Sequence, residues 1–237
     1  MIGGVVVERQ EGTPQGGPLS PLLANVLLDE VDKELEKRGH AFTRYADDCN
    51  VYVRSKRAGE RVMEGLKILY GRLRLKVNAS KSAVARAWAR TFLGYSFWVA
   101  KGREIKRRVA PKALAAMRRR VRRMTRRNDG RSLKTVTGEL RSYLTGWKEY
   151  FRLADTPKIF REQDEWLRRR VRAVQLKQWK NGTTVYRKLR ARGVCVRSAR
   201  AAASHTHRWW KTAAHAALNE AMPMRYFDAL GMPRLAA

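Results

Sequence analysis

The chain has 237 residues, with 52 Lys+Arg against 21 Asp+Glu and a formal net charge of +31. At 44 % hydrophobic it is too apolar for a disordered tail, and two cysteines, Cys49 and Cys195, exclude a disulfide scaffold or a cysteine-rich zinc module. No uncharged apolar run is long enough to cross a membrane, and residues 1–7 lack the basic flank of a signal peptide.

Residues 2–7 form a short, β-branched apolar run that predicts a strand, followed by a Gly/Pro-rich loop over 12–18. Ser20-Pro21 reads as an N-cap and first helical position, and Gly39 stands where a C′ glycine belongs. Between them Leu23, Val26, Leu27, Val31 and Leu35 line one side of a predicted helix. Over 41–54, Cys49, Val51 and Val53 alternate with Asn50, Tyr52 and Arg54, which predicts strands on both sides of Asp47-Asp48 and puts the acids at a hairpin tip. A second helix is predicted over 58–73 with Val62, Leu66, Leu69 and Leu73 inward. Short strands are expected over 75–77 and 83–87, then a hairpin of 91–99 and 105–109 around Lys101-Gly102. Beyond Pro111 the strand signals fade, and helices are expected over 111–127, 132–153, 157–180 and 207–220, with an irregular tail from 221.

Charge follows the same division. Residues 1–100 carry 16 Lys+Arg and 11 Asp+Glu, a net of +5, and the remainder carries 36 and 10, a net of +26. Composition and period both change near 108–112, so two units are expected, the second one facing a polyanion, of which nucleic acid is the obvious example. Adjacent carboxylates at a hairpin tip are a rigid mount for a hard cation such as Mg²⁺. On these residues alone the pair reads more readily as a plain solvated Asp turn, since Asp is a common turn residue.

The surrounding words decide between these readings. Tyr45-Ala46-Asp47-Asp48 resembles the tyrosine-x-Asp-Asp motif of reverse transcriptases. Thr13-Pro14-Gln15-Gly16-Gly17-Pro18-Leu19-Ser20-Pro21 resembles the family's upstream Pro-Gln-Gly block. Leu75-Lys76-Val77-Asn78-Ala79-Ser80-Lys81-Ser82 and Phe92-Leu93-Gly94-Tyr95-Ser96-Phe97 are similar to two downstream blocks. In this order they most resemble bacterial group II intron-encoded reverse transcriptase/maturases. The resemblance implies an α+β fold class: a partial polymerase palm, an antiparallel sheet with helices, over 1–110, then an all-α thumb/maturase region over 111–237. It implies that Asp47 and Asp48 hold two Mg²⁺ ions as catalytic and metal residues, and that Lys81 assists the pyrophosphate leaving group. Gln15, Gly16 and Tyr45 would face nucleotide and template, and Leu93, Gly94 and Tyr95 would form the primer grip. The implied partners are intron RNA, an RNA template, a DNA primer and dNTP, in a cytoplasmic, nucleic-acid-associated setting without a membrane.

In the family a third carboxylate comes from an earlier strand, upstream of the Pro-Gln-Gly block, and Glu8 and Glu11 lack its surrounding pattern. The expectation is therefore an N-terminally truncated form, without fingers, that has little polymerase activity alone, and without a C-terminal endonuclease. A non-enzymatic RNA-binding splicing cofactor is the competing expectation.

The second half has its own logic. Arg118, Arg119, Arg120, Arg122, Arg123, Arg126 and Arg127 surround a stripe of Leu114, Met117, Val121 and Met124, an amphipathic helix with a guanidinium surface. Arg168, Arg169 and Arg170 follow Trp166 on a later helix. Arginine binds phosphate through two parallel bonds and stacks on bases, so Arg118, Arg119, Arg122, Arg123, Arg126, Arg127, Arg168, Arg169 and Arg170 are the candidate RNA contacts. Trp147, Phe151, Trp166 and Trp179 are read as bundle core. The spacing of Cys195, His205, His207 and His215 does not make a closed zinc site.

Overall fold

A computed structural model describes residues 18–236, so the strand expected over 2–7, Gln15 and Gly16 lie outside the described residues. Packing divides the chain into two compact units, Met1–Phe92 and Leu93–Ala237. A mixed region of small antiparallel sheets with flanking helices is followed by an all-α region.

In the first unit, helix α1 (Ser20–Lys37) starts with Pro21 in its first turn; its N-cap is Leu19 rather than Ser20. It ends in a Schellman turn: Gly39 N–H donates to Glu36 O at 2.8 Å and His40 N–H to Leu35 O at 3.0 Å, with Gly39 at φ 69. Strands β1 (Ala41–Tyr45) and β2 (Asp48–Tyr52) form an antiparallel hairpin. Helix α2 (Lys56–Arg72) is capped by Ser55, whose hydroxyl accepts from Ala58 N–H at 3.2 Å. The core consists of Leu28, Val31 and Leu35, covered by Phe42, Cys49, Val51, Leu66, Leu69, Tyr70, Leu73 and Leu75.

Two expectations fail here. Leu23, Val26 and Leu27 do not join Val31 and Leu35 in the core; Leu23 and Val26 are 56 % and 64 % exposed, and Leu28 takes the inward position. The stretches 75–77 and 83–86 are irregular and Ala87 opens a 3-10 turn (Ala87–Ala89), so neither is a strand. Asn78 explains part of this: its side-chain oxygen accepts from Ser80 N–H at 3.1 Å and Lys81 N–H at 3.3 Å, an Asx turn that diverts donors from any ladder. Strand β3 (Thr91–Phe92) ends the unit.

The second unit opens with the Leu93-Gly94 turn, which interrupts the single strand expected over 91–99. Strands β4 (Tyr95–Val99) and β5 (Ile105–Val109) then pair with Tyr95 opposite Val109. This hairpin packs with the helices: Val109 is fully buried in the helical core and Tyr95 lies against it. The packing division therefore precedes the change in composition, because composition registers arginine density while packing registers which core a strand covers.

Helices α3 (Pro111–Met124), α4 (Leu133–Tyr150) and α5 (Pro157–Gln178) supply Met117, Val121, Val136, Leu140, Leu144, Leu167 and Val171 to one core, each side chain worth about 1.5–3 kcal/mol when removed from water. Trp147, Phe151 and Trp179 are buried there, and Trp166 is half-buried at its edge. Helices α6 (Gly182–Arg190) and α7 (Val196–Ser204) were not anticipated; they bury Val185, Leu189, Ala199 and Ala202. The single helix expected over 207–220 is broken into α8 (Trp209–Thr212) and α9 (Ala216–Ala221). Side chains compete with the helical ladder at the break: Thr212 Oγ1 donates to His205 O at 2.7 Å, and His215 Nδ1 accepts from Ala217 N–H at 3.2 Å. The tail contains α10 (Met224–Ala229) and docks through buried Asp164, whose carboxylate accepts from Leu235 and Ala236 N–H at 3.0 and 3.1 Å.

Candidate functional site

The β1–β2 register places Tyr45 opposite Asp48, so Ala46 and Asp47 make a two-residue turn. Ala46 sits at φ 52, a left-handed conformation that favours glycine and costs an L-residue roughly 1–2 kcal/mol. Alternation puts Phe42, Arg44, Cys49 and Val51 on the half-buried face of the hairpin. Tyr45, Asp47 and Asp48 are exposed at the tip, and neither carboxylate has a hydrogen-bond or ion-pair partner among the described residues. Burial raises the Tyr70 hydroxyl's pKa, with smaller contributions from Cys49, Asp32 and Asp47.

Arg44 occupies a position the alternating pattern reserves for an apolar side chain, and it is almost fully engaged. Its Nε donates to Asp32 Oδ1 at 2.8 Å and its Nη2 to Asp32 Oδ2 at 2.5 Å. Its Nη1 donates to Asn25 Oδ1 at 3.0 Å and to the turn carbonyl of Ala46 at 3.1 Å. The hydrogen bond to Asp32 raises the Arg44 pKa further, so this cation is permanent. Sequence reading passed over Arg44, Asp32 and Asn25. The legible signal was a charge at the inward parity of β1 and two polar residues seven apart on α1, two turns along one face.

The donor set at the tip is of the kind Mg²⁺ prefers, two exposed carboxylates without a partner among the described residues. Among the described residues no group of three or more His, Cys, Asp or Glu is placed to hold a metal ion. A cation held by the pair would need further oxygen ligands, from water, phosphate or another carboxylate. Lys81 lies in the same unit, exposed, in the Asn78 turn; its carbonyl accepts from Arg90 Nη2 at 2.5 Å.

Leu93 and Gly94 both have positive φ, 50 and 77, the combination of a type I′ hairpin turn. The turn is fastened to the end of α4 by two tyrosines: Tyr150 Oη donates to Leu93 O at 3.0 Å, and Tyr95 Oη donates to Tyr150 O at 2.5 Å. A Cβ on Gly94 would lie 3.1 Å from Phe151 Cζ, so glycine is needed for space as well as for backbone. Arg107 and Asp155 add a second staple, with Arg107 N–H donating to Asp155 Oδ2 at 2.9 Å.

The nine candidate arginines fall into two groups. Arg118 donates to buried Gln163 at 2.8 Å, and both it and Arg122 lie near the Trp166 ring. Arg127 stacks on Trp209 at 3.7 Å and Arg169 on Trp210 at 4.1 Å, while Arg169 Nη2 also donates to Trp210 O at 2.8 Å. Arg170 donates to Thr125 Oγ1 at 2.7 Å, Thr125 O at 3.1 Å and Arg122 O at 3.2 Å, and burial lowers its pKa. Arg119, Arg123 and Arg126, by contrast, are exposed and have no side-chain partner among the described residues. Arg119 and Arg123 lie on the side of α3 opposite Met117 and Val121, and Arg126 follows just past the helix's C-cap at Thr125. Arg168 is half-buried and makes no side-chain hydrogen bond among the described residues, but it lies near enough to Asp228 to help lower that carboxyl's pKa.

Each unit thus offers groups suited to polyanions, carboxylates for a bridging cation in one and unpaired guanidinium groups in the other, which is the equipment of a nucleic-acid-handling protein. Comparison with known families narrows the class. A reverse transcriptase (RNA-dependent DNA polymerase) model matches residues 5–97, and a group II intron, maturase-specific domain model matches residues 114–193. Group II intron maturase and reverse transcriptase domains are therefore both present in this chain. A curated relative, protein YkfC of Escherichia coli (strain K12), is 28 % identical over 34 % of this chain and 30 % of its own length. The match thus spans about a third of that relative. No helix among the described residues is long and apolar enough to cross a membrane.

Proposed function

We propose that the chain acts in RNA-directed DNA synthesis for a group II intron, with its helical unit binding intron RNA as a maturase. The reaction is attack of a primer 3′-hydroxyl oxygen on the α-phosphorus of a dNTP; the hydroxyl proton is lost, the new P–O bond forms and pyrophosphate leaves. Asp47 and Asp48 would hold Mg²⁺, which when bound neutralises charge on the phosphates. Tyr45 flanks them on the exposed side of the tip, and Lys81 would balance charge on the leaving group. The Leu93-Gly94-Tyr95 turn would support the primer end. Gln15 and Gly16 would face template and nucleotide.

The observation that carries this reading is the unpaired Asp47-Asp48 couple at a strained hairpin tip, within a segment that matches the reverse transcriptase model. The test is extension of a DNA primer on an RNA template by the purified chain, alone and supplemented with a polypeptide supplying the family's upstream carboxylate. Extension that requires Mg²⁺ and disappears in Asp47→Asn supports it; extension unchanged by Asp47→Asn refutes it.

A second reading, a splicing cofactor that binds RNA without synthesis, is favoured by the exposed, unpaired Arg119 and Arg123 within the segment that matches the maturase-specific model. Intron-RNA binding and splicing support that survive Asp47→Ala, with no extension under any supplementation, would select it.

A further inference from the structure

The tip turn is held in a conformation its own residues disfavour, and the group that holds it comes from the protein's interior side. Ala46 is at φ 52, and its carbonyl accepts from Arg44 Nη1. The Arg44 guanidinium is itself fixed to α1 by the fork to Asp32 and the bond to Asn25. The Arg44 and Asp32 side chains are only 12 % and 21 % exposed, so this pair is shielded from the solvent that weakens surface ion pairs. An ion pair serving only to pin β1 to α1 would need nothing beyond Asp32; the bond to Ala46 O reaches past it into the turn that carries Asp47.

We infer that Arg44, oriented by Asp32 and Asn25, is a positioning residue for the Asp47-Asp48 cation site, holding the turn that presents Asp47. The inference rests on the reading of those aspartates as divalent-cation ligands. The geometry needs arginine: one planar group must satisfy a carboxylate with two parallel bonds and still present a third N–H to the turn, which the single ammonium of lysine does not do. Groups one step removed from a metal's ligands tune affinity by fixing ligand orientation, and their loss weakens binding about 10- to 100-fold.

The experiment titrates Mn²⁺ into the full 237-residue chain and counts free Mn²⁺ by electron paramagnetic resonance, with far-UV circular dichroism as a check on folding. Asp47→Asn identifies the site. Arg44→Lys and Asp32→Asn are expected to weaken Mn²⁺ binding about 10- to 100-fold with the helical signal retained. Ala46→Gly in the Arg44→Lys background is expected to recover most of the lost affinity, because glycine takes a positive φ without being held there. A general folding defect would not be repaired by that change. Wild-type affinity in Arg44→Lys and Asp32→Asn, while Asp47→Asn abolishes binding, overturns the positioning role and leaves the cation reading standing. Weak binding that Ala46→Gly does not recover also overturns it. Mn²⁺ binding indifferent to Asp47→Asn removes the cation reading itself.

Discussion

Replacing Arg119, Arg123 and Arg126 together by alanine separates arginines that bind RNA from arginines that build the fold. All three are exposed and unpaired among the described residues, Arg119 and Arg123 on the side of α3 away from its buried stripe of Met117 and Val121 and Arg126 just past the helix's end. Each phosphate contact contributes about 0.7–0.9 to the slope of log K against log salt, so three lost contacts flatten the slope by about 2 to 2.7. Between about 50 and 200 mM salt the wild-type chain should then lose about 20- to 40-fold more affinity than the triple variant. Thermal stability should stay within about 0.5 kcal/mol, because these side chains are exposed and have no partner among the described residues. The assay is filter binding of a group II intron transcript at four salt concentrations, paired with thermal melts. Arg127→Ala and Arg169→Ala provide the contrast: each removes a guanidinium stacked on a tryptophan, so melting should fall while the slope changes by one contact at most. A triple variant with the wild-type slope refutes the assignment.

Arg170→Met should destabilise by about 2–4 kcal/mol in chemical denaturation, since it orphans Thr125 and Arg122 acceptors at once. Arg172→Met should be neutral or stabilising by the same measurement: Arg172 is buried, its pKa is pulled down to about 10 by burial, its Nε has no partner, and one bond to Met222 O is its only hydrogen bond among the described residues. Gly94→Ala should cost about 2 kcal/mol through both its φ of 77 and its approach to Phe151. The Asp155 carboxyl is held below its ordinary value of 3.8 by hydrogen bonds from the Arg107 side chain and backbone. Its folded form therefore binds a proton less readily than the unfolded chain. The stability it adds is complete above that ordinary value and is lost as pH falls through the depressed one. Asp155→Asn should accordingly flatten the acid limb of a plot of melting temperature against pH.

Much of the backbone was legible because local signals agreed with tertiary demands. Gly39 closed α1 as its position predicted, Pro111 and Pro157 opened α3 and α5, and the alternation around Asp47 produced a hairpin. The failures have physical causes. Nothing in the pattern of α1 separates Leu27 from Leu28 as the inward residue, since both fit a helical stripe and the partner surface decides. The α6 and α7 helices were missed because their apolar positions are few and small, Ala199 and Ala202 among them, within a run of cations. Thr212 and His215 broke a continuous helical pattern through side-chain bonds that no periodicity encodes.

The sites show the same limit more sharply. Tyr45, Asp47 and Asp48 could be picked out from four words in order, but Arg44 could not, because its meaning lies in Asp32, twelve residues away, and in a carbonyl two residues on. The arginines of α3 and α5 form one undivided class in sequence: same side chain, same charge, same density. Folding sorts them by what stands opposite. Those facing Gln163, Thr125, Trp209 or Trp210 gain neutral hydrogen-bond acceptors and aromatic faces. Arg119, Arg123 and Arg126 face solvent. A net charge of +31 is therefore an upper bound on what a polyanion meets. The excess has a structural use: arginines anchored through uncharged partners keep their full charge, so the helical unit stays strongly cationic even where its guanidinium groups are occupied. Attraction at long range and contact at short range are thus assigned to different arginines, and only the second set should register as discrete steps in the salt slope.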